Sequence, residues 1–591
     1  MKQPEPIMKT ILRLLMLLIV IAAGFYYSDV IGYKWYKLTA PKTVIYTAKS
    51  VVTMDEKLPL AKAVVVEDGG IIDVGSIDQV VKNLEGKTYT LSEEFSDKTI
   101  MPGFIEQHLH PLLGALTLSM AVIAPEAWEL PDKTWPAANG RDDYLAKLAE
   151  QEKQSDDDVL FSWGYHQYFH GELSREALDE ISSIRPIVIW HRSCHEFYLN
   201  SAAIEKYGIA QDSIDAAGDE VARQSNIQRG HFYENGAFQY IAPLIMGDLA
   251  SPTRLLSGLN QMIEILHSNG VTAFNEPGAL IDSNVLLAYK LSLQRLTTPM
   301  YSFFIPEAKT SFVEYGVEGV LAAVEKIPAA LPQTGKARFF PKQVKLLMDG
   351  AIISQLMQMK DGYLDGHHGE WIQTPEEIDT LTKIFWDAGY QIHIHVNGDL
   401  GLEELLTILE KRMEENPRQD HRTTIVHFAN SSPTHIQRLK DLGAIVSANP
   451  YYVTAFANKY SEVGVGPERA QAMVRLGPLE DLGVSISLHS DLPMAPADPL
   501  YLAWAAVTRE TLEGGSVMPE LGLSVDKALR AITIDAAYSW RMEDEIGSIA
   551  VGKVANFTIL DENPYEVVPE RLKDIGVWGT VFEGRLFPVT R

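Results

Sequence analysis

The sequence predicts an α/β protein: a (β/α)8 TIM-like barrel joined to a small discontinuous β-sandwich domain built from both ends of the chain. Two patterns carry that expectation. Across residues 100–540, short apolar segments alternate with stretches long enough for a helix, and such regular alternation favours a barrel over an open sheet. On either side, residues 42–99 and 541–591 read instead as short strands separated by turns. At 591 residues the chain exceeds a single small core, and two to four domains is the expectation from length.

The leader comes first. Lys2, Lys9 and Arg13 precede an apolar run of 14 residues from Leu14 to Tyr27, then Ser28 and Asp29. That run is short for a full span and suits a signal segment. Ala22 and Gly24 offer a small-x-small cleavage site, and Trp35 and Tyr36 suit an interfacial aromatic anchor. Residues 1–41 are therefore read as a signal peptide or membrane anchor with its linker, a buried N-terminal helix being the alternative. The expected location is periplasmic or inner-membrane anchored, the body lying outside the cytoplasm, with retention preferred over cleavage.

Residues 42–99 form the first half of the sandwich, with strands expected at Thr43–Thr47, Ala63–Val66 and Ile71–Val74 around an Asp-Gly-Gly turn. Barrel strands are expected just before His108 and at Ile187–Trp190, Val271–Asn275, Val344–Met348, Gln391–His395, Thr424–His427, Ile445–Ala448 and Val484–Leu488. Residues 121–184 and 202–254 are too long for simple connections and read as insertions covering the barrel mouth. The second half of the sandwich, residues 541–591, contains Gly547–Asp561 and Val577–Phe587, which repeat the texture of the first.

Composition narrows the chemistry. A net charge of −27 argues against nucleic acid and anionic membrane surfaces as partners, since both repel an acidic field. The single cysteine, Cys194, excludes an intrachain disulfide and a cysteine-based zinc site. Any metal must be held by His, Asp, Glu or a modified Lys.

The ligand candidates sit at strand ends. Pro102-Gly-Phe-Ile-Glu-Gln-His-Leu-His-Pro111 sends the imidazoles of His108 and His110 to one side, because strand side chains alternate with a period of two. Lys345 lies in the fourth strand, His395 ends the fifth, His427 the sixth and Asp491 the eighth. In a barrel the C-terminal strand ends converge on one site. Each residue alone has an ordinary explanation, such as a turn cap for Asp491 or an ion pair with Asp349 for Lys345. Their order on successive strand ends is harder to obtain by chance.

These motifs resemble the amidohydrolase superfamily, specifically the YtcJ-like amidohydrolases (amidohydrolase family 3). The resemblance runs through Pro102-Gly-Phe-Ile-x-x-His-x-His110, Lys345-x-x-x-Asp349-Gly, His395-x-x-Gly-Asp399, Ser490-Asp491-x-Pro493 and Gly547-Ser-Ile-x-x-Gly-Lys-x-Ala-x-Phe557. Leu178–Ser201, containing Cys194-His195, and Gly230-His-Phe-Tyr-Glu234 are also similar. It implies His108, His110, His395, His427 and Asp491 at a divalent metal site of one or two ions, zinc being expected. It also implies that Lys345, carboxylated on its amine, bridges two ions. Gln107 and Asn397 depart from the residues usual at those places. His393 and His489 share faces with His395 and Asp491 and are read as orienting ligands.

The implied reaction is hydrolysis of a C–N bond, amide or cyclic amide, in a small-molecule substrate by a metal-activated hydroxide. Catalysis is expected of Asp491, as proton acceptor and donor, and of His427 and His195. His195 and Glu234 are expected to meet substrate from the covering segments, a packing role for His195 being equally open. Glu276, at the end of the third strand, faces the mouth, and Cys194 reads as a buried structural thiol. Aromatics of the cover, among them Trp128, Trp163, Tyr168, Phe169 and Trp190, either line an apolar pocket or pack the cover. Esterase, lactonase or deaminase chemistry on the same site is the alternative, and a non-catalytic membrane-tethered regulatory or binding protein is a third reading. A homodimer is left open. Asp361 and Asp365 near His367-His368 read as a solvated loop rather than an extra metal site.

Overall fold

The structure, a computed structural model, describes residues 42–130, 133–279 and 283–590. The leader at residues 1–41 lies outside them, and among the described residues no helix is long and apolar enough to cross a membrane.

Both ends of the described residues meet in one seven-stranded sheet, ordered Arg585–Pro588, Val577–Phe582, Phe557–Leu560, Thr90–Pro102, Thr43–Val52, Leu60–Glu67, Gly70–Gly75. Its hairpins follow from turn chemistry. Asp68 and Gly69 have φ of 51° and 85° between the paired Glu67 and Gly70. Glu583 and Gly584 do the same, at 48° and 76°, between Phe582 and Arg585. Two consecutive positive φ values match the right-handed strand twist. One face buries Val51, Phe95, Ile100, Phe557 and Ile559. The other packs Ile45, Ala63 and Val65 against Val80 and Leu84.

Thr90–Pro102 runs from this sheet towards the central strands through Gly103, where a Cβ would lie 2.1 Å from Thr272 Oγ1, so only glycine lets the chain pass. The central parallel strands are β1 (Phe104–Glu106), β2 (Val271–Ala279), β3 (Tyr301–Pro306), β4 (Gln343–Leu347), β5 (Gln391–Val396), β6 (Thr424–His427), β7 (Ile445–Ala448) and β8 (Ile486–Leu488). β1–β3 pair in the order β3-β2-β1, with Ala337–Phe339 beside β3, and β4–β8 pair in chain order. Backbone bonds bridge both seams. Ala308 N–H donates to the Lys345 carbonyl at 3.1 Å, and Asp491 N–H donates to the His108 carbonyl at 2.9 Å. Between the central strands and the terminal sheet, Phe303, Phe340 and Trp540 bury their rings together. Each such side chain contributes about 1.5–3 kcal/mol.

One strand assignment needs correction. Ile187–His191 is not a central strand. It pairs parallel with Leu160–Tyr165 and antiparallel with Glu196–Leu199 in a separate six-stranded sheet, which also holds Ala121–Val122, Ser225–Asn226 and His231–Tyr233. The central strand that sequence reading misses is β3, Tyr-Ser-Phe-Phe-Ile-Pro. Both segments are buried along their whole length, so the apolar run carries no sign of which sheet it joins. Glu276 consequently lies on the second strand rather than the third, while Lys345 keeps its place on the fourth.

Candidate metal centre

Register brings the strand ends level. Leu347 opposes His395, Val396 opposes His427, His427 opposes Ala448 and Ala448 opposes Leu488. Just past these ends, the nitrogens and oxygens of two sets gather within 4.8 Å of one another: His108, His110 and Asp491, and His108, His427 and His489. Asp491 Oδ1 lies 3.3 Å from Nε2 of both His108 and His110, and its Oδ2 lies 3.6 Å from His427 Nδ1. His427 and Asp491 hold φ of 77° and 58°, a conformation non-glycine residues adopt at a cost of about 1–3 kcal/mol. Such strain persists where surrounding contacts over-determine it.

His489 Nε2 lies within the cluster itself, beside the nitrogens of His108 and His427. A chain of hydrogen bonds fixes its tautomer. Ser539 Oγ donates to the Ala536 carbonyl at 2.7 Å and so accepts from Gln107 Nε2 at 3.1 Å. Gln107 Oε1 therefore faces Ser447 and takes its hydroxyl proton, and Ser447 Oγ accepts from His489 Nδ1 at 2.7 Å. The lone pair of His489 is thereby left on Nε2, 3.2 Å from His427 Nδ1. Gln107, a departure from the resembled family, thus has its task below the site. His393 differs, its Nε2 meeting Gln343 Oε1 at 2.9 Å.

His395 lies beside His427, with ring centroids 4.4 Å apart, and its Nε2 meets Asn397 Nδ2 at 3.0 Å. It stands outside both three-residue sets. Tyr452 OH is 3.3 Å from His427 Nδ1. Glu276 Oε1 is 3.6 Å from His110 Nδ1, its other oxygen accepting from Tyr289 OH at 3.2 Å.

Lys345 is buried beneath this cluster, and its Nζ has no hydrogen-bond partner among the described residues. It does not pair with Asp349, whose carboxylate accepts instead from the N–H groups of Gln358, Asn397 and Gly398 at 2.8–2.9 Å. Burial pushes the Lys345 amine down to about 7, against a weak pull from Asp491.

The electrostatics favour metal ligands. Burial, then the charge of Lys345, holds His108 well below the ordinary imidazole value, and burial does the same for His395, His427 and His489. Neutral imidazoles offer lone pairs. Burial opposes protonation of His110 too, but the carboxylates of Asp491 and Glu276 outweigh it and lift the ring to about 9. A divalent cation would satisfy those carboxylates in place of the proton. The neutral His set, the one central carboxylate and the orphaned Lys345 amine fit a metal centre of nitrogen and oxygen ligands.

The separate six-stranded sheet carries or adjoins the remaining candidates. His195 Nδ1 is 3.0 Å from Glu234 Oε2, the two residues flanking the paired ends Glu196 and Tyr233 of adjacent strands. Burial opposes its charge, yet Glu234 raises its pKa. His195 and Glu234 therefore meet each other first. Cys194 is buried, and desolvation pushes its thiol up, away from nucleophilic use. Most of the cover aromatics pack on one another: Trp128 against Trp163, Trp190 on Phe197, Tyr165 against Tyr198. His367 pairs with Asp365 at 2.5 Å, and no three-ligand set forms there among the described residues. Sequence reasoning missed Arg192, buried one position beyond Ile187–His191, although a charged residue closing an apolar strand was a signal for it.

A family model described as the amidohydrolase family matches residues 96–587. The N-substituted formamide deformylase of Arthrobacter pascens is 24% identical, covering 93% of this chain and 99% of its own. The putative amidohydrolase YtcJ of Bacillus subtilis (strain 168) is 24% identical, covering 90% and 97%. Among solved structures, an uncharacterized metal-dependent hydrolase from Pyrococcus horikoshii OT3 superposes with a TM-score of 0.68 at 20% identity, over 89% of this chain and 99% of its own.

Proposed function

The chain belongs to the amidohydrolase family, and on that premise we propose that it is a metal-dependent hydrolase of amide or cyclic amide C–N bonds in small molecules. The observation that carries this reading is the pair of ligand sets sharing His108 above the unpartnered Lys345 amine. We read the eight central strands as a closed (β/α)8 barrel and the terminal sheet as the folded-over β-sandwich beside it. The bridged seams at Lys345 and at His108 support the first, and the apolar clusters on both sheet faces support the second.

In this reading His108, His110, His427, His489 and Asp491 would hold divalent ions, zinc among the candidates, with His395 beside them. Such ions lower the pKa of a water to about 7 and polarise the bond under attack. Asp491 takes the proton of the attacking water and returns it to the leaving nitrogen. His427 and His110 keep that carboxylate oriented from either side. The neutral Lys345 amine could add to carbon dioxide with loss of one proton, giving a carbamate whose negative charge would suit a buried site holding divalent cations. His195, whose protonated form Glu234 favours, meets the substrate from the cover.

The likeness to a formamide deformylase makes N-substituted formamides the first substrates to try, with cyclic amides next. The test combines elemental metal analysis of the purified protein with hydrolysis of those panels, beside a His108→Ala/His110→Ala variant. Metal lost in the variant together with hydrolysis is the expected result, and a folded wild type that takes up no metal would overturn the reading. We also propose that the leader tethers the body outside the cytoplasm, on the support of Lys2, Lys9 and Arg13 preceding Leu14–Tyr27. Protease added to spheroplasts, whose inner membrane is intact, should then degrade the body.

A further inference from the structure

We infer that Arg192 is a positioning residue for Asp491, through which the covering sheet holds the loop that carries this carboxylate. The inference rests on the hydrolase reading for the importance of Asp491, but the clamp itself is independent of it.

Arg192 is fully buried in the turn between Ile187–His191 and Glu196–Leu199. Its guanidinium spans two bodies. Towards the cover, Nε and Nη2 donate to Glu126 Oε1 at 2.9 and 2.5 Å, and the group lies over the ring of Trp163 at 4.7 Å. Glu126 also accepts from Trp128 Nε1 at 3.2 Å. Towards the central strands, Nη1 donates to the Pro493 carbonyl at 3.1 Å and Nη2 to the Met494 carbonyl at 2.7 Å.

Those carbonyls belong to the turn that begins at Asp491. Asp491 N–H is tied to the His108 carbonyl, and Met494 N–H donates back to the Asp491 carbonyl at 2.7 Å. Asp491 holds a left-handed φ of 58°, which needs support from outside its own segment. Arg192 supplies that support on the outer side of the turn. Only a planar fork reaches two carbonyls and a carboxylate together, so lysine is not equivalent. A buried ion pair is by itself weak evidence for stability. What distinguishes this one is where it ends: on the backbone that aims Asp491, from the turn that also presents His195.

The test uses the full chain. Truncating Arg192 alone would strand the buried Glu126 charge, so the variants are Arg192→Met/Glu126→Gln, which removes the pair together, and Arg192→Lys, which keeps the charge and loses the fork. Two readouts are taken: amide hydrogen exchange of Asp491 and Met494 in the EDTA-treated protein, and the visible spectrum and affinity for Co2+. In whichever variant folds, exchange of those two amides should accelerate by roughly tenfold or more while amides of β5 stay unchanged. Co2+ affinity should fall about 10–100-fold with altered absorption bands. Unchanged exchange at Asp491 and Met494 would overturn the inference, whatever the melting temperature does. If the wild type binds no Co2+, the hydrolase reading fails, and the exchange rates still decide the clamp.

Discussion

His489 Nε2 lies 3.2 Å from His427 Nδ1, close enough that both nitrogens can face one cation. Since Ser447 occupies Nδ1 of His489, the ring has no other use for its inner lone pair. His489→Ala should therefore lose metal as His108→Ala does, with affinity down at least 10–100-fold. A residue that only oriented a ligand would cost less. Equilibrium dialysis against zinc, with circular dichroism to check folding, separates the two.

Lys345 bears a buried amine without a partner, which burdens the metal-free fold. Replacing it with methionine keeps the length and removes the unsatisfied group. Lys345→Met should raise the melting temperature of the EDTA-treated protein, the gain being about 1–3 kcal/mol. The same variant should lose hydrolysis and, if the carbamate forms, one of two bound ions. Calorimetry of the stripped protein beside elemental analysis of the loaded protein checks both halves.

Much of this cluster was legible in the sequence because several central strands are short apolar runs with a polar residue at or just past their ends. His108, His110, His427 and Asp491 could be read off those ends, and period-two alternation put His489 on the face of Asp491. What alternation could not tell was which of two residues on one face reaches the cluster. That depended on Gln107 and Ser447, far apart in the chain, ordering the proton on His489. The exchange of Ile187–His191 for Tyr301–Pro306 has a similar origin. Burial of both faces erases the pattern that assigns a strand to a sheet. Arg192 carried one sign, a charge closing an apolar strand, but its partners did not: two are main-chain carbonyls and the third, Glu126, lies far away in the chain.

Asp349 organises the turn after β5 by accepting N–H groups of Gln358, Asn397 and Gly398. An asparagine there would turn an amide NH2 towards donors. Asp349→Asn should destabilise the fold by about 1–3 kcal/mol and loosen His395, whose Nε2 meets Asn397 of that turn. The expected signature is a lower urea midpoint with an unchanged m-value, together with weakened metal binding. Unaltered stability would show that the turn holds without the carboxylate.

The cover carries its own acid sensitivity. Glu196 is buried with His231 Nε2 at 2.7 Å and His191 Nδ1 at 3.6 Å. Burial works against its charge, but the two histidines hold it down to about 2. Its contribution is thus present above the unfolded value near 4.5 and is lost as pH falls towards 2. Burial also holds His191 down to about 4, so the unfolded chain takes that proton first as pH drops below about 6.5. Both groups bind protons more readily when unfolded, and stability falls with pH from about 6.5 downwards. Fluorescence of Trp163 and Trp190, in the sheet beside these groups, should report loosening of the cover in mild acid. Glu196→Gln should move that transition to higher pH, because the histidines lose their charged acceptor while the His191 step remains. A transition that stays at the same pH in this variant would assign the acid sensitivity to other carboxylates.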